Sequence, residues 1–232
     1  MKRLRYLVPS SITAMALACG VMAIVHAIDG DPLEGTWWVL YATILDRMDG
    51  VAARTLKASS TFGMWLDSVS DFVSFAVAPA FLFMGTNPGG FEPLFVVPMA
   101  IYIAGGGVRL VRFSLGEASK EFQGVPSTLA GGVYAAGLQV ALSHGLTGDQ
   151  ATWLFGAVLV AFGLAMNIPW LRYGKVGGLS NRGLNILGVS LVLICIVLIL
   201  SRTLPEFVFG ASGLIMLTAP LISRAERKTS PE

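Results

Sequence analysis

What confines this chain most is a succession of long, nearly uncharged apolar runs separated by short polar breaks. A helix that crosses a bilayer needs about 20 mostly apolar residues. Eight segments approach that length, at roughly 9–28, 35–55, 62–85, 92–114, 127–146, 150–170, 183–201 and 205–223. The breaks carry turn chemistry: Asp29-Gly30-Asp31-Pro32, Asn87-Pro88-Gly89-Gly90, Thr147-Gly148-Asp149 and Gly174 to Gly178. Only 13% of the residues are charged, against about 25% in a typical soluble chain. The expected fold is all-α, a polytopic transmembrane bundle of about eight helices forming a single domain over residues 1–232. There is no internal repeat, linker or low-complexity segment.

Lysine and arginine placement orients the bundle, because cytoplasmic connections carry the excess of both. With the N-terminus inside, the inner connections hold Lys2, Arg3, Arg5, Lys57, Lys120, Arg172, Lys175, Arg182, Arg224, Arg227 and Lys228. The outer ones hold Asp29, Asp31, Glu34, Glu92 and Asp149, with Arg202 the one exception. Both termini are therefore expected in the cytoplasm, and the protein in the cytoplasmic membrane. The start, Met1-Lys2-Arg3 followed by an apolar run to Val25-His26-Ala27, resembles a signal peptide. The run is long for one, and its removal would leave seven spans. Cys19 and Cys195 fall inside apolar runs and read as buried thiols. Trp37, Trp38, Trp153 and Trp170 fall near span ends and read as interfacial anchors. No nucleic-acid partner is expected.

Two predicted helices carry acids where lipid would penalise them. The second holds Asp46, Asp49 and Arg54; the third holds Asp67 and Asp71. A charge near the bilayer centre costs on the order of 2.5 kcal/mol or more, and less near a helix end. Asp46 and Asp49 are spaced i, i+3 and Asp67 and Asp71 i, i+4, so each pair shares a helix face. Gly50 and Ala53 lie close to the first face, and Gly63 one turn before Asp67. Small residues there allow close approach of another helix or of a ligand. Antiparallel helices joined near Lys57–Thr61 would bring the four carboxylates together. Three arrangements fit the bare charges. The acids form ion pairs with Arg47 or Arg54, or line a cation pathway, or bind hard divalent ions that favour all-oxygen sites. A pair of such ions is a device of phosphoryl chemistry, and Arg54 suits a phosphate.

The string Asp46-Arg47-Met48-Asp49-Gly50-Val51-Ala52-Ala53-Arg54, eight further residues, then Gly63-Met64-Trp65-Leu66-Asp67-Ser68-Val69-Ser70-Asp71 resembles the signature of the CDP-alcohol phosphatidyltransferase family. That signature reads D-x2-D-G-x2-A-R-x8-G-x3-D-x3-D, and all eight fixed positions match. The resemblance implies transfer of a substituted phosphate from a CDP-linked donor to an alcohol, with release of CMP. By position, Asp46, Asp49, Asp67 and Asp71 would hold two divalent ions, Mg2+ or Mn2+. Asp71 would also be the base that takes the acceptor's proton. Asp49, Gly50, Ala53, Arg54 and Gly63 would line the CDP site. A homodimer is implied as well.

Further stretches resemble the phosphatidylserine synthase branch of that family. These are Asp67 to Ala80, Arg109-Leu110-Val111-Arg112-Phe113-Ser114, Phe122-Gln123-Gly124-Val125-Pro126 and Leu7-Val8-Pro9-Ser10-Ser11-Ile12-Thr13, with a weaker echo at Arg172-Tyr173-Gly174-Lys175. Three departures stand out: Ala76 for the usual Gly, Val111 for Ala and Ser114 for Asn. The substrates implied are CDP-diacylglycerol, its tails among membrane lipids, and L-serine. Serine brings a carboxylate, and arginine suits planar, bidentate carboxylate recognition. Arg109 and Arg112 share a face at i, i+3, and Lys120 follows in the loop. These three are the expected serine contacts, with headgroup-level anchoring the alternative for each. Glycerol phosphate, inositol or its phosphate, and choline are the competing acceptors within the family; a cation transporter is the competing class.

Overall fold

The computed structural model describes residues 4–87, 93–115, 122–169, 172–173 and 182–229. Lys2, Arg3, Glu92, Lys120, Trp170 and Lys175, named above, lie outside them. The described residues form eight helices: α1 Leu4–Ile28, α2 Pro32–Thr55, α3 Thr61–Gly85, α4 Pro93–Ser114, α5 Ser127–Ser143, α6 Asp149–Ala165, α7 Arg182–Leu200 and α8 Pro205–Thr229. Each coincides with one expected apolar run to within a few residues. Three of them, Arg5–Ile28, Thr61–Gly85 and Phe95–Ser114, are long and apolar enough to cross a membrane by length and composition alone. The one extended pairing is antiparallel and two residues long, β1 Phe122–Gln123 against β2 Arg172–Tyr173. It ties together two of the stretches that carry the family resemblance.

Local chemistry starts and stops the helices that carry the acids. Asp31 caps α2, its side chain accepting from Glu34 N at 3.1 Å, with Pro32 preset for the first turn. Ser60 caps α3 by accepting from Gly63 N at 3.0 Å. Between them Lys57 adopts φ +49, a left-handed conformation unusual for a residue with a side chain. Ala58 N then donates back to Ala53 O at 2.9 Å. This tight reversal makes α2 and α3 antiparallel neighbours.

Small residues set how closely the helices approach, as is common among membrane helices. A side-chain carbon on Gly105 of α4 would collide with Gly163 O of α6. Asn167 crosses the same contact, Nδ2 donating to Gly105 O at 2.9 Å. Gly124, at φ +78, runs so near α6 that a side chain would collide with Met166 O. The centre of the bundle is filled by Tyr102, Phe75, Phe83, Phe95, Leu82 and Leu138.

Within α3, residues Phe72–Val77 form a π-helical segment that begins immediately after Asp71. A π turn leaves backbone groups that need other partners. Tyr102 Oη supplies one, donating to Phe75 O at 2.8 Å. Three helices press glycine against the segment: Gly20 of α1 at Ser74, Gly106 of α4 at Ala76 and Gly131 of α5 at Phe75.

One aromatic expectation is corrected. Trp37 is not an interfacial anchor but part of the core, 6% exposed. The helical repeat turns it toward α5, where Nε1 donates to the Gln139 carbonyl at 3.1 Å once that amide is oriented to receive it. Trp38, its neighbour, stacks on His26, and Trp153 is exposed. Cys19 and Cys195 are free, half-buried thiols on different helices.

Candidate active site

The hairpin of α2 and α3 brings the four acids to one place. Asp46, Asp49 and Asp67 each offer a carboxylate oxygen, and these oxygens all lie within 4.8 Å of one another. Asp71, one turn beyond Asp67, sits against Asp46. The structure therefore assembles three aspartates into a cluster and sets the fourth beside Asp46.

Oxygen ligands sit at about 2.0 to 2.6 Å from a hard divalent cation, so two ligands of one ion are at most about 5 Å apart. The three-aspartate cluster fits that limit, and its all-carboxylate donor set suits Mg2+, Mn2+ or Ca2+ over softer metals. The ion-pair reading does not hold: among the described residues, neither Arg47 nor Arg54 closes to a salt bridge with any of the four carboxylates.

Hydroxyl groups from two other helices support the cluster. Thr13 of α1, in the Leu7–Thr13 stretch, donates through Oγ1 to Asp49 Oδ2 at 2.6 Å, and both residues are buried. Thr128, near the start of α5, lies beside Asp46 and acts on its carboxylate. Reading the sequence assigned neither threonine a role. A threonine in an apolar helix carries no local signal of function, because its hydroxyl can always bond the carbonyl one turn back.

The signature's small residues behave differently from the packing glycines. A side-chain carbon on Gly50 would meet only the Arg54 guanidinium, at 3.4 Å from Nη1. One on Gly63 would meet only Ser60 Oγ, at 3.1 Å. Among the described residues no other helix approaches either glycine, so both leave open surface beside the carboxylates. Ala53 is half-buried and Arg54 exposed on the same helix.

Arg109 is drawn into the site. Its Nη1 donates to Ser127 Oγ at 2.9 Å, and its charge acts on Asp71 without closing to a salt bridge. Its Nε is buried without a hydrogen-bond partner among the described residues. Arg112 is half-buried one turn further on. The three departures from the family pattern fall away from the carboxylates. Ala76 packs its methyl against Gly106, Val111 is exposed, and Ser114 bonds the Leu110 carbonyl of its own helix at 2.9 Å.

Comparison with known proteins agrees with this geometry. The family model for CDP-alcohol phosphatidyltransferase matches residues 6–222. A CDP-diacylglycerol–serine O-phosphatidyltransferase of Helicobacter pylori is 31% identical over 186 residues, 74% of each chain. Proteins of the same name from Bacillus subtilis and Methanocaldococcus jannaschii are 32% identical over 126 residues and 31% over 151. The first alignment covers 53% of this chain and 71% of its relative, the second 65% and 69%. This chain belongs to the CDP-alcohol phosphatidyltransferase family. It is an integral membrane enzyme of that type, with an aspartate cluster able to hold a divalent metal.

Proposed function

We propose that the protein transfers the phosphatidyl group of CDP-diacylglycerol to the hydroxyl of L-serine, forming phosphatidylserine and CMP. The observation that carries the chemistry is the convergence of Asp46, Asp49 and Asp67, with Asp71 against Asp46. The names of the relatives and the half-buried Arg109 beside Asp71 support serine as acceptor.

The donor keeps its tails in the bilayer while its CDP headgroup lies on the open surface at Gly50, Ala53, Arg54 and Gly63. Arg54, which closes to no salt bridge with an aspartate among the described residues, takes a phosphate oxygen. Asp46, Asp49, Asp67 and Asp71 would hold two divalent ions, Mg2+ or Mn2+, which when bound would neutralise the diphosphate and the charge that develops on CMP. Arg109 and Arg112 orient the serine carboxylate, with Lys120 as a further contact. Asp71 takes the proton of the serine hydroxyl as its oxygen bonds to the donor's β-phosphorus. The bond from that phosphorus to the CMP oxygen breaks, and CMP leaves with the electron pair.

The protein acts as one domain in the cytoplasmic membrane, as a homodimer, with both termini and the active site on the cytoplasmic side. The assay is CMP release by purified protein supplied with CDP-diacylglycerol and Mn2+ or Mg2+. Release is expected only when serine is added. Release that ignores serine and follows another alcohol would replace the acceptor. No release with any alcohol, together with ion flux in liposomes, would replace the enzyme by a transporter.

A further inference from the structure

The first helix does more than anchor the chain. Three hydroxyl residues lie close together in it, and two behave as isolated membrane-helix hydroxyls do. Ser10 Oγ donates to Tyr6 O at 3.1 Å and Ser11 Oγ to Leu7 O at 2.8 Å. Thr13 has the equivalent carbonyl, Pro9 O, at 3.0 Å, but also Asp49 Oδ2 at 2.6 Å. A hydroxyl has one proton to donate. Charge-assisted O–H to carboxylate bonds are typically about 2.5 to 2.7 Å long and roughly twice as strong as neutral ones. The shorter contact to Asp49 is therefore where the proton goes.

The surroundings make this bond a fixture. Thr13 is 4% exposed and Asp49 5%, so water does not compete for the carboxylate oxygen. Asp49 is also bonded to the backbone at Gly50. The Thr13 carbonyl accepts from Ser70 Oγ of α3 at 3.3 Å, one residue before Asp71. One helical turn along, the Ala16 carbonyl accepts from Ser74 Oγ at 3.1 Å. Thus α1 is pinned to α3 by two bonds and to Asp49 of α2 by a third. A branched side chain such as threonine has few rotamers in a helix, so the direction of its hydroxyl follows from where α1 lies.

We propose that Thr13 is a positioning residue for the metal centre: its hydroxyl fixes the Asp49 carboxylate so that it joins Asp46 and Asp67 as a preset ligand. The proposal rests on the metal-centre reading above. Partners of this kind, bonded to a ligand and not to the metal, typically change metal affinity by about 10- to 100-fold when removed.

The test is Mn2+ binding to the purified full-length protein, without lipid substrate, followed by loss of the free-ion electron paramagnetic resonance signal. Thr13→Val keeps the volume and Thr13→Ala the helix propensity, so failure of one to fold leaves the other. Either is expected to weaken Mn2+ binding by about 10-fold or more, while Thr13→Ser stays near wild type and the exposed Ser11→Ala is unchanged. In an Asp49→Asn background, Thr13→Ala should have little further effect. Equal affinity of Thr13→Ala and wild type would overturn the proposal. So would a serine variant as weak as the alanine one, since a steric role would then suffice. If wild type binds Mn2+ no better than Asp67→Ala does, the metal centre itself fails and Thr13 loses its role with it.

Discussion

Asp71 has surroundings unlike those of the three aspartates that converge. It sits against Asp46 and does not join the three-oxygen cluster, and Arg109 faces it from α4. A group in that position can accept a proton without surrendering a place among the cluster ligands. Asp71→Asn keeps the shape and removes the base. Turnover is expected to fall by about 10²- to 10⁴-fold, the usual contribution of a general base, while CDP-diacylglycerol binding persists. Asp67→Ala should lose donor binding as well, and equal loss of binding in both variants would make Asp71 mainly a ligand. At this scale the signature contains the three aspartates whose oxygens converge, because spacing on a helix decides which residues share a face. Thr13 and Thr128 stayed silent, since each acts across a contact between helices, 36 residues apart for Thr13 and Asp49.

The π-helical segment in α3 connects the site to the bundle. It follows Asp71 directly and is clamped between glycines of three other helices. Apolar periodicity placed α3 correctly but could not distinguish a π turn from an α turn, as Phe72–Val77 is apolar in either winding. The Ala76 departure shows what the segment requires. A carbon added at Gly106 would lie 2.6 Å from the Ala76 methyl, inside any real contact between carbons. Gly106→Ala is therefore expected to destabilise by about 1–3 kcal/mol, the usual cost of overpacking a core, read as a lower melting temperature in detergent. Ala76→Gly in the same protein should recover most of that loss, because it returns the missing space. If the double variant melts no higher than Gly106→Ala alone, the two positions do not share this contact. The same reasoning separates kinds of glycine: those at 20, 106 and 131 serve packing, whereas Gly50 and Gly63 serve the open face.

Across the whole molecule, the expected division of charge concerns the two ends of the bundle. The α2–α3 reversal at Lys57 lies at the end of α2 that bears Asp46 and Asp49, while the turns joining α1 to α2 and α7 to α8 meet at the other end. There Arg202, the cation that stood against the charge rule, bonds Glu34 through both guanidinium nitrogens at 2.8 and 2.6 Å and reaches Tyr41 Oη at 2.7 Å. The pair is neutral as a unit, Arg202 offsetting Glu34, one of the acids at that end. The pairing was not legible in the sequence, because 168 residues separate its partners and only the fold joins them. Orientation can be read directly by labelling single cysteines in intact cells, with Cys19 and Cys195 first replaced by serine. Asp29→Cys, in the α1–α2 turn, is expected to react with a membrane-impermeant maleimide at once. Lys57→Cys should react only after the cells are permeabilised. The reverse pattern would put the aspartate cluster on the outer face and overturn the cytoplasmic placement of the site.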